Sequence, residues 1–266
     1  MRMHLAATIA IVLAGSIASS AAAECKFSEW KTFKQTKLYR ADGGTAYFWV
    51  TSRAAVDADG SPRAYHPDDV GKPCGATGAG LDCPANAGYP NASWWPTVLA
   101  ADPGNPGKAF VSPSGFFVSM TALTDQDNGN PRDPARYADA STIPYVVFPR
   151  PFNQMSGTGL MGDIGVAYHL STKKITPFVV ADVGPDEGLG EGSIALFAAL
   201  GGNNPNPRTG SGIAPGKVLY LAFPRSASAR PDKWPLTLAQ IEELADDLLA
   251  PLGGEATLTA CAAEHP

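Results

Sequence analysis

Asp182 and Glu191 stand at the joints of Phe178-Val-Val-Ala-Asp-Val-Gly-Pro-Asp-Glu-Gly-Leu-Gly-Glu-Gly-Ser-Ile-Ala-Leu-Phe-Ala-Ala-Leu-Gly201. Two carboxylates on a rigid frame can divide the roles of proton donor and proton acceptor, as cleavage of a glycosidic bond requires. Asp182 ends the apolar, strand-like run Phe178 to Ala181. Burial there would raise its pKa, the usual tuning of a general acid. Glu191 precedes Ser193, which suits a helix N-cap, and Gly201-Gly202 suits the end of that helix. The dipole of such a helix would favour an ionised Glu191. Both residues also fit a purely structural role, Asp182 by accepting backbone N–H groups in the turn and Glu191 by capping the helix.

A second constellation, Asp57-Ala-Asp-Gly-Ser-Pro-Arg-Ala-Tyr-His-Pro-Asp-Asp69, gathers four carboxylates with Arg63, Tyr65 and His66 in a turn-rich stretch. Carboxylates can bind ammonium groups, so Asp57, Asp59, Asp68 and Asp69 form a candidate substrate rim. The same segment also reads as a polar turn or a weak cation site, although it lacks the later bidentate glutamate of a calcium loop. His66 reads as structural. The tandem Trp94-Trp95 suits either stacking on sugar rings or an ordinary core. Gly190-Glu-Gly-Ser193 is not a nucleophile elbow, because no glycine follows the serine.

These residues need elements to hold them, and the chain reads as mainly β with a few short helices. Glycine and proline are abundant, at 28 and 24 residues, while charged residues make up 17%. That composition implies many turns and short strands rather than a helical bundle. Strand-like runs cover 46–51, 52–57, 116–123, 145–148, 166–170, 175–180 and 217–223. Ser171-Thr-Lys-Lys174 marks a hairpin. Residues 66–108, 124–143 and 203–216 are rich in Pro, Gly and Asn and read as loops. Thr237 to Leu252 has the spacing of an amphipathic helix capped by Thr237, with Ile241, Leu244, Leu248 and Leu249 on one face.

Residues 1–23 have a basic start, a short apolar run and the small-residue site Ala21-Ala-Ala23, the pattern of a secretory signal peptide. Residues 24–266 are then one catalytic domain, secreted or periplasmic. The formal net charge of −5 offers no nucleic-acid footprint. The four cysteines suit two disulfides in an oxidising compartment. Of three possible pairings, Cys74–Cys83 closes a short loop and Cys25–Cys261 ties the chain ends. A metal site is disfavoured, because no CxxC spacing or histidine pair supports one.

The segments Val56 to Asp68, Gly80 to Gly88 and Ala181 to Leu196 together resemble the chitosanases of glycoside hydrolase family 75 over about residues 46–223. The resemblance implies endo-hydrolysis of chitosan with inversion, Asp182 and Glu191 as the catalytic pair, and a polysaccharide as substrate. It implies no cofactor, nucleic-acid or membrane partner, and a monomer. Asp57, Asp59, Asp68 and Asp69 would pair with ammonium groups, and Tyr65, Trp94 or Trp95 would stack on rings. Other inverting chitosanases suggest Glu191 as acid and Asp182 as base, against the helix-dipole argument. The cysteine loop from Lys72 to Cys83 and the Pro-rich insertions depart from the family. A second, shape-level resemblance is to the double-psi β-barrels of rare lipoprotein A-type enzymes. It implies a six-stranded double-psi barrel-like core with long loop insertions. It also sets the alternative of a peptidoglycan-cleaving lytic transglycosylase. A non-catalytic glycan-binding protein is the remaining alternative.

Overall fold

The computed structural model describes residues 24–185 and 187–266, so the expected signal peptide lies outside the described residues. The strands are β1 (Phe27–Phe33), β2 (Thr36–Ala41), β3 (Tyr47–Thr51), β4 (Ala55–Asp57), β5 (Ala101–Asp102), β6 (Asn105–Ala109), β7 (Tyr145–Pro149), β8 (Ile164–His169), β9 (Ile175–Gly184), β10 (Glu191–Ser193) and β11 (Val218–Ala222). The helices are α1 (Arg150–Asn153), α2 (Ile194–Ala199), α3 (Ser226–Ala229), α4 (Leu238–Leu249) and α5 (Glu255–Glu264). Nine strands form one sheet in the order β1-β2-β3-β11-β8-β9-β7-β10-β4, and β5-β6 is a separate pair.

Every residue of β7, β8 and β11 is buried. A strand covered on both faces must be largely apolar, which is why these segments are apolar runs, broken only at the end of β8 by His169, whose ring is hydrogen-bonded to backbone groups. Alternate side chains feed two cores. One joins Phe48, Val147, Val179 and Leu219 to Ile241 and Leu249 of α4 and Leu258 of α5. The other joins Trp49, Phe148, Phe178 and Tyr220 to Phe152 of α1 and Leu196 of α2. Trp49 stacks on Tyr220 at 5.2 Å within it. A smaller core of Ala58, Tyr65, Trp95, Leu99 and Phe117 organises the irregular segment between β4 and β7.

The mainly β class holds, but the barrel expectation does not. The strand order ends at β1 on one side and β4 on the other, with no pairing between them among the described residues. The sheet is therefore open, and no six-stranded barrel closes. Two parallel pairings, β7 with β9 and β10 with β4, interrupt an otherwise antiparallel sheet.

Both expected disulfides are present, Cys25–Cys261 and Cys74–Cys83. Thr237 caps α4 reciprocally with Gln240, as its sequence predicts. Residues 116–123 do not form a strand. Phe117 and Ser119 make only isolated bridges, to Val111 and Leu99, and the segment gives its polar groups to the site described below. The sequence reading missed β1, β2 and α5. The β1–β2 turn has no Asn-Gly signal, since Lys34 itself takes φ 51°, and α5 carries no sided apolar pattern. No helix among the described residues is long and apolar enough to cross a membrane.

Candidate active site

Asp182 and Glu191 sit on strands that flank β7, and both have Val147 as register partner. Directly paired residues share a face of the sheet. Adjacent strands lie about 4.8 Å apart, so the two Cα atoms are about 10 Å apart with Val147 between them. The register of β7 with β9 slips at this point. Val146 pairs with Val180 and Val147 with Asp182, leaving Ala181 as the extra residue of a bulge. Bulges re-aim side chains and are common beside active sites. Here the bulge brings Asp182 to the loop before it, where Asp182 Oδ1 accepts the Ala122 N–H at 2.8 Å.

Glu191 is not at a helix N-terminus, as the sequence suggested. It opens β10, pairing with Ala55 of β4 as well as with Val147. Ser193 does cap α2, accepting the Leu196 N–H. The helix-dipole argument for an ionised Glu191 therefore lapses, since α2 begins beyond Ser193 and has only six residues. Packing explains the neighbouring glycines. A Cβ on Gly184 would lie 2.9 Å from Val147 and 3.2 Å from Glu191 Oε2. Gly190 has φ 119°, and a Cβ there would lie 2.2 Å from the Arg53 carbonyl.

Asp57 and Asp59 join this pair. Asp57 is buried and both its oxygens are engaged, Oδ1 by the Asp59 N–H at 2.9 Å and Oδ2 by the Tyr145 hydroxyl at 3.0 Å. The Tyr145 hydroxyl also approaches the Asp59 carbonyl at 2.9 Å. Asp59 Oδ1 accepts the hydroxyls of Tyr65 and Ser119, each at 2.8 Å. Carboxylate oxygens of Asp57, Asp59 and Asp182 lie within 4.8 Å of one another. β4 is three strands from β9, about 14 Å on a flat sheet, so the sheet must roll strongly at this end. Such a convergence can also grip a cation, but N–H and O–H donors already occupy oxygens of all three. A second convergence, of Cys25, Glu264 and His265, has its sulfur in a disulfide.

Four carboxylates crowded together and partly dried cannot all ionise freely. Burial, then the charge of Asp57, pushes Asp182 up to about 7 against the amides of Val183 and Ala122. Burial, then Asp57 and Asp182, pushes Glu191 to about 8, with Arg53 pulling the other way. Burial raises Asp57 to about 6 and holds Asp59 well above its ordinary value. Among the described residues, no Lys or Arg forms an ion pair with any of the four. Arg53 instead pairs with Glu187 at 2.7 Å.

Of the other candidates, Tyr65 touches this network and Asp68, Asp69, Trp94 and Trp95 make no hydrogen bond or ion pair to it among the described residues. Asp69 is buried, paired with Arg208 and Lys72 and bonded by the Ala79 and Gly80 amides. Burial alone would raise its carboxyl, but these partners together hold it at about 2. Asp68 is exposed, and its N–H donates to His66. Tyr65 is 2% exposed, so its hydroxyl serves Asp59 and its ring presents no open face. Trp95 is 6% exposed and meets Tyr89 edge-on, whereas Trp94 is 49% exposed. Tyr145, Ser119, Ala122 and Arg53 were not legible as site residues. Tyr145 is indistinguishable from core within Tyr145-Val-Val-Phe148, and Ala122 acts through its backbone.

The fungal chitosanase family of glycosyl hydrolase group 75 matches residues 101–252. No curated protein matches the chain. The matched segment is more than half of the chain and holds Asp182 and Glu191, while Asp57 and Asp59 precede it. Because that match spans more than half of the chain, the chain belongs to the fungal chitosanase family of glycosyl hydrolase group 75 and is a glycoside hydrolase.

Proposed function

We propose that this protein is an exported endo-chitosanase that cleaves β-1,4 bonds by an inverting mechanism. The observation that carries the reading is the placement of Asp182 and Glu191 on the two sides of Val147. Inverting pairs stand about 6.5–9.5 Å apart to leave room for a water, whereas retaining pairs stand about 5–5.5 Å apart. The strand between the two positions leaves space for a water between the side chains, and inversion is the outcome that the family resemblance implies. Glu191 is the acid: held protonated up to about pH 8, it gives its proton to the leaving glycosidic oxygen. Asp182 is the base and takes a proton from water attacking the opposite face of the sugar. The Ala122 N–H orients the Asp182 carboxylate. Asp57 and Asp59, with Tyr145, surround Asp182 with charge and O–H donors. The exposed Trp94 remains the better stacking platform of the tandem, and Asp68 remains available to a substrate ammonium. Residues 1–23 and the two disulfides support export. The transglycosylase alternative drew on the double-psi resemblance, and the open sheet withdraws that support.

The test uses purified residues 24–266 on soluble chitosan, with product anomers followed by NMR. Asp182→Asn and Glu191→Gln should each slow hydrolysis by about 10²-fold or more. An activated leaving group should rescue Glu191→Gln and leave Asp182→Asn slow. Near-normal rates in either variant would sink the pair, rescue of Asp182→Asn instead would exchange the roles, and retained anomeric configuration would overturn the mechanism.

A further inference from the structure

Asp59 is held at every polar group but one. Its N–H donates to Asp57 Oδ1 at 2.9 Å, and its carbonyl accepts the Tyr145 hydroxyl at 2.9 Å. Its Oδ1 accepts the Tyr65 and Ser119 hydroxyls, each at 2.8 Å. Its Oδ2 accepts no hydrogen bond among the described residues, and it is not an enclosed orphan: the residue is half-buried and this oxygen is open to solvent. The next residue fixes the turn. Gly60 has φ 75°, donates its N–H to Ser119 Oγ at 3.2 Å, and has no room for a Cβ, which would lie 2.1 Å from the Ala138 carbonyl oxygen. The structural carboxylates Asp69 and Asp163, by contrast, use both oxygens. Asp69 gives Oδ1 to the Ala79 N–H and Oδ2 to that of Gly80. Asp163 gives Oδ1 to the Ala227 N–H and Oδ2 to those of Leu160 and Arg225. Asp59 is thus a carboxyl fixed from three separate stretches of chain, with one oxygen left for something else.

Carboxyl oxygens of Asp59 and Asp182 lie within 4.8 Å of each other. A water donating one O–H to each of two oxygens at about 2.8 Å spans about 4.4 Å between them, so a single water fits between these carboxyls. Its lone pairs then face away from both. We infer that Asp59 is a third catalytic residue, which holds the attacking water together with Asp182 and is itself positioned by Tyr65, Ser119 and Tyr145. In the reaction the water oxygen bonds to the anomeric carbon and the glycosidic bond breaks. One water proton passes to Asp182, and Glu191 gives its proton to the leaving oxygen. Asp59 keeps the second O–H of the water aligned and ends unchanged. Two acceptors fix the orientation of the water, whereas one would leave it free to turn about a single hydrogen bond. Burial and the charges of Asp57 and Asp182 hold the Asp59 carboxyl well above its ordinary value, and the two hydroxyls oppose them by favouring the ionised form. A C2 ammonium on the bound sugar acts in the same direction as the hydroxyls. The inference rests on the inverting reading of Asp182 and Glu191 and adds to it the group that aims the water.

The experiment separates attack by water from binding, from departure of the leaving group and from folding. Asp59→Asn keeps a carbonyl oxygen for Tyr65 and Ser119 but puts an N–H donor where the water needs an acceptor. Its kcat on soluble chitosan should fall about 10²-fold. Its affinity for a glucosamine hexamer, measured by calorimetry, should change by less than about threefold. An activated leaving group should leave it slow. Asp59→Ala supplies the second readout. Azide needs no proton removed and fits the space of the lost carboxyl, so it can replace the water as nucleophile. With azide present, Asp59→Ala should regain at least about tenfold in turnover and release an α-glycosyl azide, its nitrogen bonded to the anomeric carbon and the Glu191 proton on the leaving oxygen. A merely structural Asp59 would show no such rescue. Denaturant midpoints accompany both variants, and Asp59→Asn decides the matter by itself if the alanine variant is unstable. A near-normal kcat, a loss that appears in affinity rather than in kcat, rescue by the leaving group, or a folded Asp59→Ala that yields no azide adduct would each overturn the assignment. If Asp182→Asn is slow and Asp59→Asn is not, this inference fails alone. If Asp182→Asn keeps its rate, the catalytic pair fails and this inference with it.

Discussion

Asp57 has no free oxygen, yet its charge reaches both members of the proposed catalytic pair. It is held by the Asp59 N–H and the Tyr145 hydroxyl, so it acts on Asp182 and Glu191 through space. Its charge raises the pKa of each. Asp57→Asn should therefore lower both. The alkaline limb of kcat/KM, where the acid loses its proton, should move to lower pH. A soluble chitosan oligomer assayed across the pH range reads this directly. An alkaline limb that stays in place or moves up would show that Asp57 does not set the protonation of the pair. Asparagine can still accept the Asp59 N–H, so the shape of the turn is retained while the charge is removed.

At the scale of elements, β10 carries one member of the pair on only three residues. Its place is fixed by pairing on both sides and by the absence of a side chain just before it. Gly190 lies at φ 119°, its carbonyl accepts the Ala55 N–H at 3.1 Å, and a Cβ there would meet the Arg53 carbonyl at 2.2 Å. Gly190→Ala should strain the backbone by about 1–3 kcal/mol and push β10 from β4. Displacing a catalytic group by about 1 Å can cost about 10²-fold. The expected result is a folded protein with kcat reduced at least tenfold, measured beside its denaturant midpoint. A wild-type kcat would show that the junction tolerates movement.

Across the whole molecule, the Cys25–Cys261 link closes nearly the entire described chain, its ends standing 236 positions apart in sequence. In the chain-entropy view, losing a link of this span costs about 5 kcal/mol. The double serine variant should melt at lower temperature yet keep its kcat/KM at 25 °C, because the terminal segments supply none of the hydrogen bonds of the site. A loss of activity in the still-folded variant would contradict this. The site also imposes a pH dependence on stability. Asp57, Asp182 and Glu191 have folded-state pKa values raised to about 6, 7 and 8, above the ordinary value near 4. Between about pH 4 and 8 the folded chain binds more protons than the unfolded one, so stability falls as pH rises through that window. Denaturant unfolding at several pH values should show this decline, and Glu191→Gln should make it shallower. A slope unchanged by that substitution would remove Glu191 as a contributor.

What could be read locally was already present in the chain. A strand buried on both faces must be apolar along most of its length, and 145–149, 166–168 and 218–222 are. Thr237 and Gln240 announce α4 because a capping box is a contact between near neighbours. The cysteines paired as their spacing suggested, and Asp182 and Glu191 stood out because glycines and a strand end surround them. What remained hidden depends on long-range pairing. Glu191 is a strand residue only because β4 and β7 lie on either side of it, and its own neighbours resemble the start of a helix. Tyr145 and Ser119 look like ordinary strand residues until the rolled sheet brings Asp57 and Asp59 to them. Whether the sheet closes into a barrel is decided by which edges meet, and no local run of residues records that.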